Sequence, residues 1–159
     1  MSYFQPKIEQ RNTIKYKLNV DGEKRIFSLN NRMLKDNLCS REERNTIADI
    51  IILDYFHFLK VHFPDNRKLR RKFAYYLSIY LKRYLLATVN QTILFYENGH
   101  LEHFIHNWLP RQFPEFPTSF TSDMISALKL YYMFLHSLHW LDHETYLFVM
   151  KEVERLRFE

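Results

Sequence analysis

Only two glycines occur in 159 residues, and both sit in turn-forming pairs, Asp21-Gly22 and Asn98-Gly99. That scarcity excludes a Walker phosphate loop, a Rossmann fingerprint and a Gly-x-Ser-x-Gly nucleophile elbow, each of which needs several glycines for its backbone geometry. A single cysteine, Cys39, cannot build an intramolecular disulfide framework and fits a reducing compartment. Long apolar runs are missing too. The greasiest stretch, Ile50-Ile51-Ile52-Leu53, is bracketed by Asp49 and Asp54, far short of the ~20 residues a membrane helix requires. The opening Met1-Ser2-Tyr3-Phe4-Gln5-Pro6-Lys7 has no apolar core like that of a signal peptide. These absences lead us to expect a cytoplasmic protein with no membrane partner.

What is present is an ordinary globular balance, 47% apolar and 26% charged, in a length that suits one domain with its own core. The sequence predicts a mainly α fold: a compact bundle of four to five helices with an N-terminal β-hairpin. One helical domain is expected over 1–159, comprising a hairpin-containing segment, 1–35, and a helical body, 40–159. Ile14, Tyr16, Leu18 and Val20 alternate with polar residues, Asp21-Gly22 supplies a turn, and Ile26, Phe27 and Leu29 return. Ser40 and Glu43 have capping-box spacing before a helix that ends ahead of Pro64. Asp65 is then expected to cap a long basic helix that fades at Asn98-Gly99. A short helix from His100 to Leu109 should stop at Pro110, and 111–120 should be a loop pinned by Phe113, Phe116 and Phe120. Thr121 or Ser122 should cap a helix reaching about Leu141, and Asp142 a last one reaching Arg157.

Charge is unevenly distributed. The total is +5, yet residues 65–96 alone carry seven Lys/Arg against one acid. On a helical wheel Arg67, Arg71, Tyr75, Ser78 and Lys82 fall within about 80° of one another. Leu69, Phe73, Tyr76, Leu77, Tyr80 and Tyr84 cover the other side. Lys68, Arg70 and Lys72 complete the basic group. Such a stripe suits phosphate or an acidic surface, with Tyr75 available for stacking. The same stripe on a protein with no such partner is a solvated face that maintains solubility.

Other chemistry is thinner. His136, His139 and His143 are spaced so that one helix could chelate a metal, with His57 or His103 as a further ligand. A cap at Asp142 would break that helix between His139 and His143, and no His-Glu-x-x-His occurs. Cys39 at a helix start has a lowered-pKa setting, beside Arg41 and Arg44, without a visible triad. Glu152 and Glu154 sit where solvated charges belong. No arginine is followed five to seven residues on by a histidine, so the Arg-x(4–6)-His motif of HEPN-type ribonucleases is absent.

The reading is a non-enzymatic binding or regulatory protein whose basic helix face, 65–83, contacts nucleic acid, a nucleoprotein assembly or an acidic protein. Arg67, Lys68, Arg70, Arg71, Lys72, Tyr75 and Lys82 would carry that contact, with no catalytic residues and no cofactor. A helical metalloprotein using the histidines, and an inhibitor or immunity-type interaction module, are the alternatives. Far-ultraviolet circular dichroism should show helix at about half the residues or more with a minor strand component; a strand-dominated spectrum would overturn the fold class.

Overall fold

The structure is a computed structural model that describes residues 13–20, 23–30 and 41–158. Thr13–Val20 (β1) and Glu23–Asn30 (β2) are extended and paired antiparallel, with Ile14 opposite Leu29. The Asp21-Gly22 turn, Cys39 and the capping Ser40 lie outside the described residues. The rest is mainly helical. Five helical runs follow: α1, Arg41–Phe58, with a 3-10 turn Leu59–Val61; α2, Arg67–Ser78, widening into a π-helical Ile79–Leu86; α3, assembled from His100–His103, π-helical Phe104–Trp108 and Leu109–Gln112; α4, Thr118–Ser137; and α5, His143–Arg157. Helix α2 lies between α1 and α4, while α5 packs on α4 and the start of α3. No helix among the described residues is long and apolar enough to cross a membrane.

The core is aromatic. Tyr55, Tyr80, Tyr84, Phe104, Tyr131, Tyr132 and Trp140 are all essentially inaccessible. Burying a tyrosine requires a partner for its hydroxyl, and here those partners tie helices and loops together. Tyr55 on α1 donates to the Ala127 carbonyl on α4 at 2.8 Å. Burial pushes the Tyr55 hydroxyl well above its usual pKa.

Element ends differ from expectation in instructive ways. Asn66, not Asp65, caps α2, its side chain accepting from the Leu69 N–H at 3.0 Å. The helix stops at Leu86 rather than running to Asn98-Gly99. Beyond it the chain passes through β-branched Thr88 and Val89 to Asn90 at φ +53°, poor helix material. Tyr131 and Tyr132 on α4 then donate to the Ile93 and Phe95 carbonyls at 2.7 and 3.1 Å. These tertiary bonds replace the helical ladder.

Pro110 does not end α3; it lies inside the run. It stands in the first turn of Leu109–Gln112, directly after the π-helical Phe104–Trp108, the position where a proline's fixed φ and missing N–H are tolerated. The loop after it is shorter than the expected 111–120, because 111–112 and 118–120 are helical. The three phenylalanines do pack together, with Phe116 stacked on Phe120 at 4.1 Å and Phe113 at 4.9 Å from Phe116.

Helix α4 begins at Thr118 after Pro117, without a side-chain cap, so neither Thr121 nor Ser122 serves. It ends at Ser137, short of Leu141. His139 adopts φ +60°, its N–H bonding the His136 carbonyl and the Trp140 N–H the Leu135 carbonyl, both at 3.0 Å. That is the Schellman arrangement, with buried Trp140 and Leu135 as its apolar contact. Histidine occupies the left-handed position where glycine is usual, which is why the stop was invisible in the sequence. Asp142 caps α5 as expected, accepting from the Thr145 N–H at 2.8 Å. Asp142→Ala should therefore lower unfolding free energy by about 1 kcal/mol, measured as a reduced urea midpoint at unchanged slope.

Candidate binding face and buried polar network

The six basic residues expected in the α2 contact separate into three environments, while Arg83, further along, is exposed and lies over the Phe113 ring at 4.9 Å. Arg67, Lys68 and Arg71 are exposed, and Tyr75 beside them is 54% exposed. Lys72 and Lys82 are engaged: Lys72 bonds Asp123 on α4, and Lys82 pairs with Asp49 on α1. The Asp123 hydrogen bond is the main reason the Lys72 ammonium is held above its ordinary pKa. Arg70 is only 6% exposed, its guanidinium 5.2 Å from the centre of the Phe56 ring. Its Nε and Nη1 have no hydrogen-bond partner among the described residues. The expected stripe thus loses Arg70 to the interior and has two of its charges compensated. The wheel held part of this answer, because Arg70 falls about 20° from Leu77, on the core side.

Arg71 also borders a shallow groove between α1 and α2, of about 380 Å³, lined by Asp49, Ile52, Leu53, Phe56 and Ala74. Leu53 is 56% exposed there. The one acid on its wall, Asp49, is neutralised by Lys82.

A second constellation lies inside. Tyr80 hydrogen-bonds His100 Nε2 at 2.8 Å and also bonds the Tyr132 hydroxyl. Tyr84 bonds His103 Nδ1 at 2.8 Å. Burial, aided by the neighbouring His103, lowers the His100 pKa to about 4, so its imidazole is neutral at physiological pH. A recess of about 320 Å³, bordered by Tyr84, Phe95, Glu97, His100 and His103, opens beside these rings.

Glu152 was expected at the surface, yet it is 2% exposed. One carboxylate oxygen accepts from Tyr96 at 2.7 Å and the other from the Glu102 backbone N–H at 3.1 Å. Arg155 lies 3.6 Å from that second oxygen and 3.1 Å from the Glu102 carboxylate. Its signal was legible, since Val149, Glu152, Val153 and Leu156 share one helical face.

The histidines of the alternative metalloprotein reading are only partly united. His136 Nε2 and His143 Nδ1 approach to 3.3 Å across the α4–α5 turn, with His136 stacked on Tyr146 at 4.0 Å. His139 occupies the left-handed turn position. His57 is exposed on α1, and His103 belongs to the Tyr84 pair. Among the described residues no three His, Cys, Asp or Glu side chains gather into a metal-binding set.

His100 makes stability pH-dependent. Its folded pKa is depressed to about 4 from an unfolded value near 6.5. Between those values the unfolded chain binds the extra proton, so stability falls as pH drops through that window. Urea midpoints at pH 7 and 4.5 should differ less in His100→Gln than in wild type, by an amount on the order of 2–3 kcal/mol in unfolding free energy. Equal differences would remove His100 from that role.

Scanned against protein-family models the chain matches none, and searches of curated proteins and of solved structures return no significant match.

Proposed function

We propose that this chain is a non-enzymatic binding protein whose exposed α2 face meets an acidic protein surface. One observation carries the reading: Arg67, Lys68, Arg71 and Tyr75 are exposed together on one helix, while Arg70, Lys72 and Lys82 are buried or compensated. With so few cations left uncompensated, counterion release on a nucleic acid is small. That count favours a protein partner, for which a few charges beside an aromatic ring give steering and register. In the same reading the chain acts as one cytoplasmic domain. Its N-terminal hairpin, supported by the antiparallel pairing of Thr13–Val20 with Glu23–Asn30, stands beside the helical body.

Reversing Arg67, Lys68 and Arg71 to Glu takes the net charge from +5 to −1. Exposed positions of this kind shift stability by only about 0.5 kcal/mol each, so the melting temperature should hardly move. Fluorescence anisotropy with labelled poly-L-glutamate should show salt-dependent binding to wild type and about tenfold or greater loss in the variant. Equal, salt-insensitive signals would reject the reading. Duplex or single-stranded DNA or RNA binding far more tightly than polyglutamate would instead name nucleic acid as the partner.

A further inference from the structure

We propose that the groove between α1 and α2 is a docking site for an acidic amphipathic helix of a partner protein. This rests on the reading of the α2 face given above and specifies what that face receives. The groove is lined mainly by apolar Ile52, Leu53, Phe56 and Ala74, with Asp49 on its α1 side and Arg71 on its α2 edge. Along the same edge follow exposed Arg67 and Tyr75. A flat polyanion gains nothing from the apolar floor. A helix with apolar residues at i, i+3, i+4 and i+7, flanked by Glu or Asp, satisfies both floor and edge.

Charge selects the occupant. Asp49, the acid lining the groove, is already matched by Lys82, so it does not repel an incoming carboxylate. Arg70 points the same way. The residue is only 6% exposed, its guanidinium lies over Phe56, a groove-lining ring, and two of its nitrogens have no hydrogen-bond partner among the described residues. An uncompensated buried cation is costly, and its field favours an anion arriving nearby. The chain's own first 40 residues carry eight basic and four acidic groups; like charge makes them the poorer occupant. The partner is therefore acidic where it meets the edge and apolar where it meets the floor.

The test uses the full chain and three synthetic probes: a helical peptide with Leu at the i, i+3, i+4 and i+7 positions and Glu on the flanks, the same peptide with Lys for Glu, and poly-L-glutamate. The acidic amphipathic peptide should bind about tenfold or more tightly than polyglutamate, and the Lys version should not bind. Leu53→Arg separates groove from charge. It adds a cation, so simple attraction predicts tighter peptide binding, whereas a filled groove predicts about tenfold loss with polyglutamate binding retained. Leu53 is exposed, and an unchanged melting temperature would verify that the variant folds. Peptide binding no tighter than polyglutamate, or unweakened by Leu53→Arg, would overturn the docking site while leaving the basic-face reading standing. Loss of polyglutamate binding in the Arg67, Lys68, Arg71 triple variant tests that reading separately. Self-association abolished by Leu53→Arg would make a second copy the occupant and overturn the partner named here.

Discussion

The carboxylate of Glu152 is buried among apolar neighbours on α5, and a charge in that position is tolerable only when its lone pairs are occupied. The tyrosine at 96 occupies one oxygen, and the N–H of Glu102 occupies the other. That N–H is one of the orphan donors in the first turn of α3, a helix whose own N-cap, Gly99, has no side chain with which to cap it. Glu152 therefore supplies from another helix what the local sequence lacks, and its negative charge also complements the α3 dipole. Arg155 bridges to Glu102 on the outer side. One side chain thus fixes the angle of α3 against α5 and anchors the 87–99 segment through Tyr96. The arrangement is reciprocal, since without the α3 amide the carboxylate could not remain inside.

The aromatic core extends the same logic. Tyr131 and Tyr132 leave α4 and take carbonyls of a segment that has no regular ladder of its own. Each hydroxyl removes the penalty of a buried unpaired carbonyl while its ring contributes apolar area. Tyr80 occupies the centre, bonded to both His100 and Tyr132 and packed edge-on to Phe104 at 4.9 Å. Both π-helical stretches, at Ile79–Leu86 and Phe104–Trp108, lie at this cluster, where Tyr84 approaches Phe104 and Trp108 at 4.8 and 5.3 Å. Widened turns give large rings the spacing that an α-helical pitch would deny them.

At the surface the bundle redistributes charge. Helices α1 and α4 supply Asp49 and Asp123 to α2, so packing cancels two cations that the sequence presents as part of one field. Arg70 is drawn inward by the same contact between α1 and α2. What remains positive is a short edge beside an apolar groove, a different recognition surface from an uninterrupted basic stripe. Exposed surface pairs contribute little stability, so their consequence here is chiefly the shape of the potential.

The sequence by itself determined the helical character, the apolar faces, the Asp142 cap and the phenylalanine-pinned loop, because periodicity and capping act over a few neighbouring residues. It also contained the phase that places Arg70 and Glu152 toward the core, although their charge argued for solvent. Tertiary structure decided the rest. The end of α2 depended on tyrosine hydroxyls from α4, the end of α4 on a histidine accepting a left-handed backbone, and the passage through Pro110 on a change of helix type that puts it in the first turn of a new segment. The approach of His136 to His143 likewise depended on the Schellman turn between them, in which His139 takes the left-handed position. The binding face was decided in the same way. A helix wheel shows which side chains point outward, but only packing brings the acids of other helices to them, since Coulomb energy and burial depend on distance in space, not along the chain.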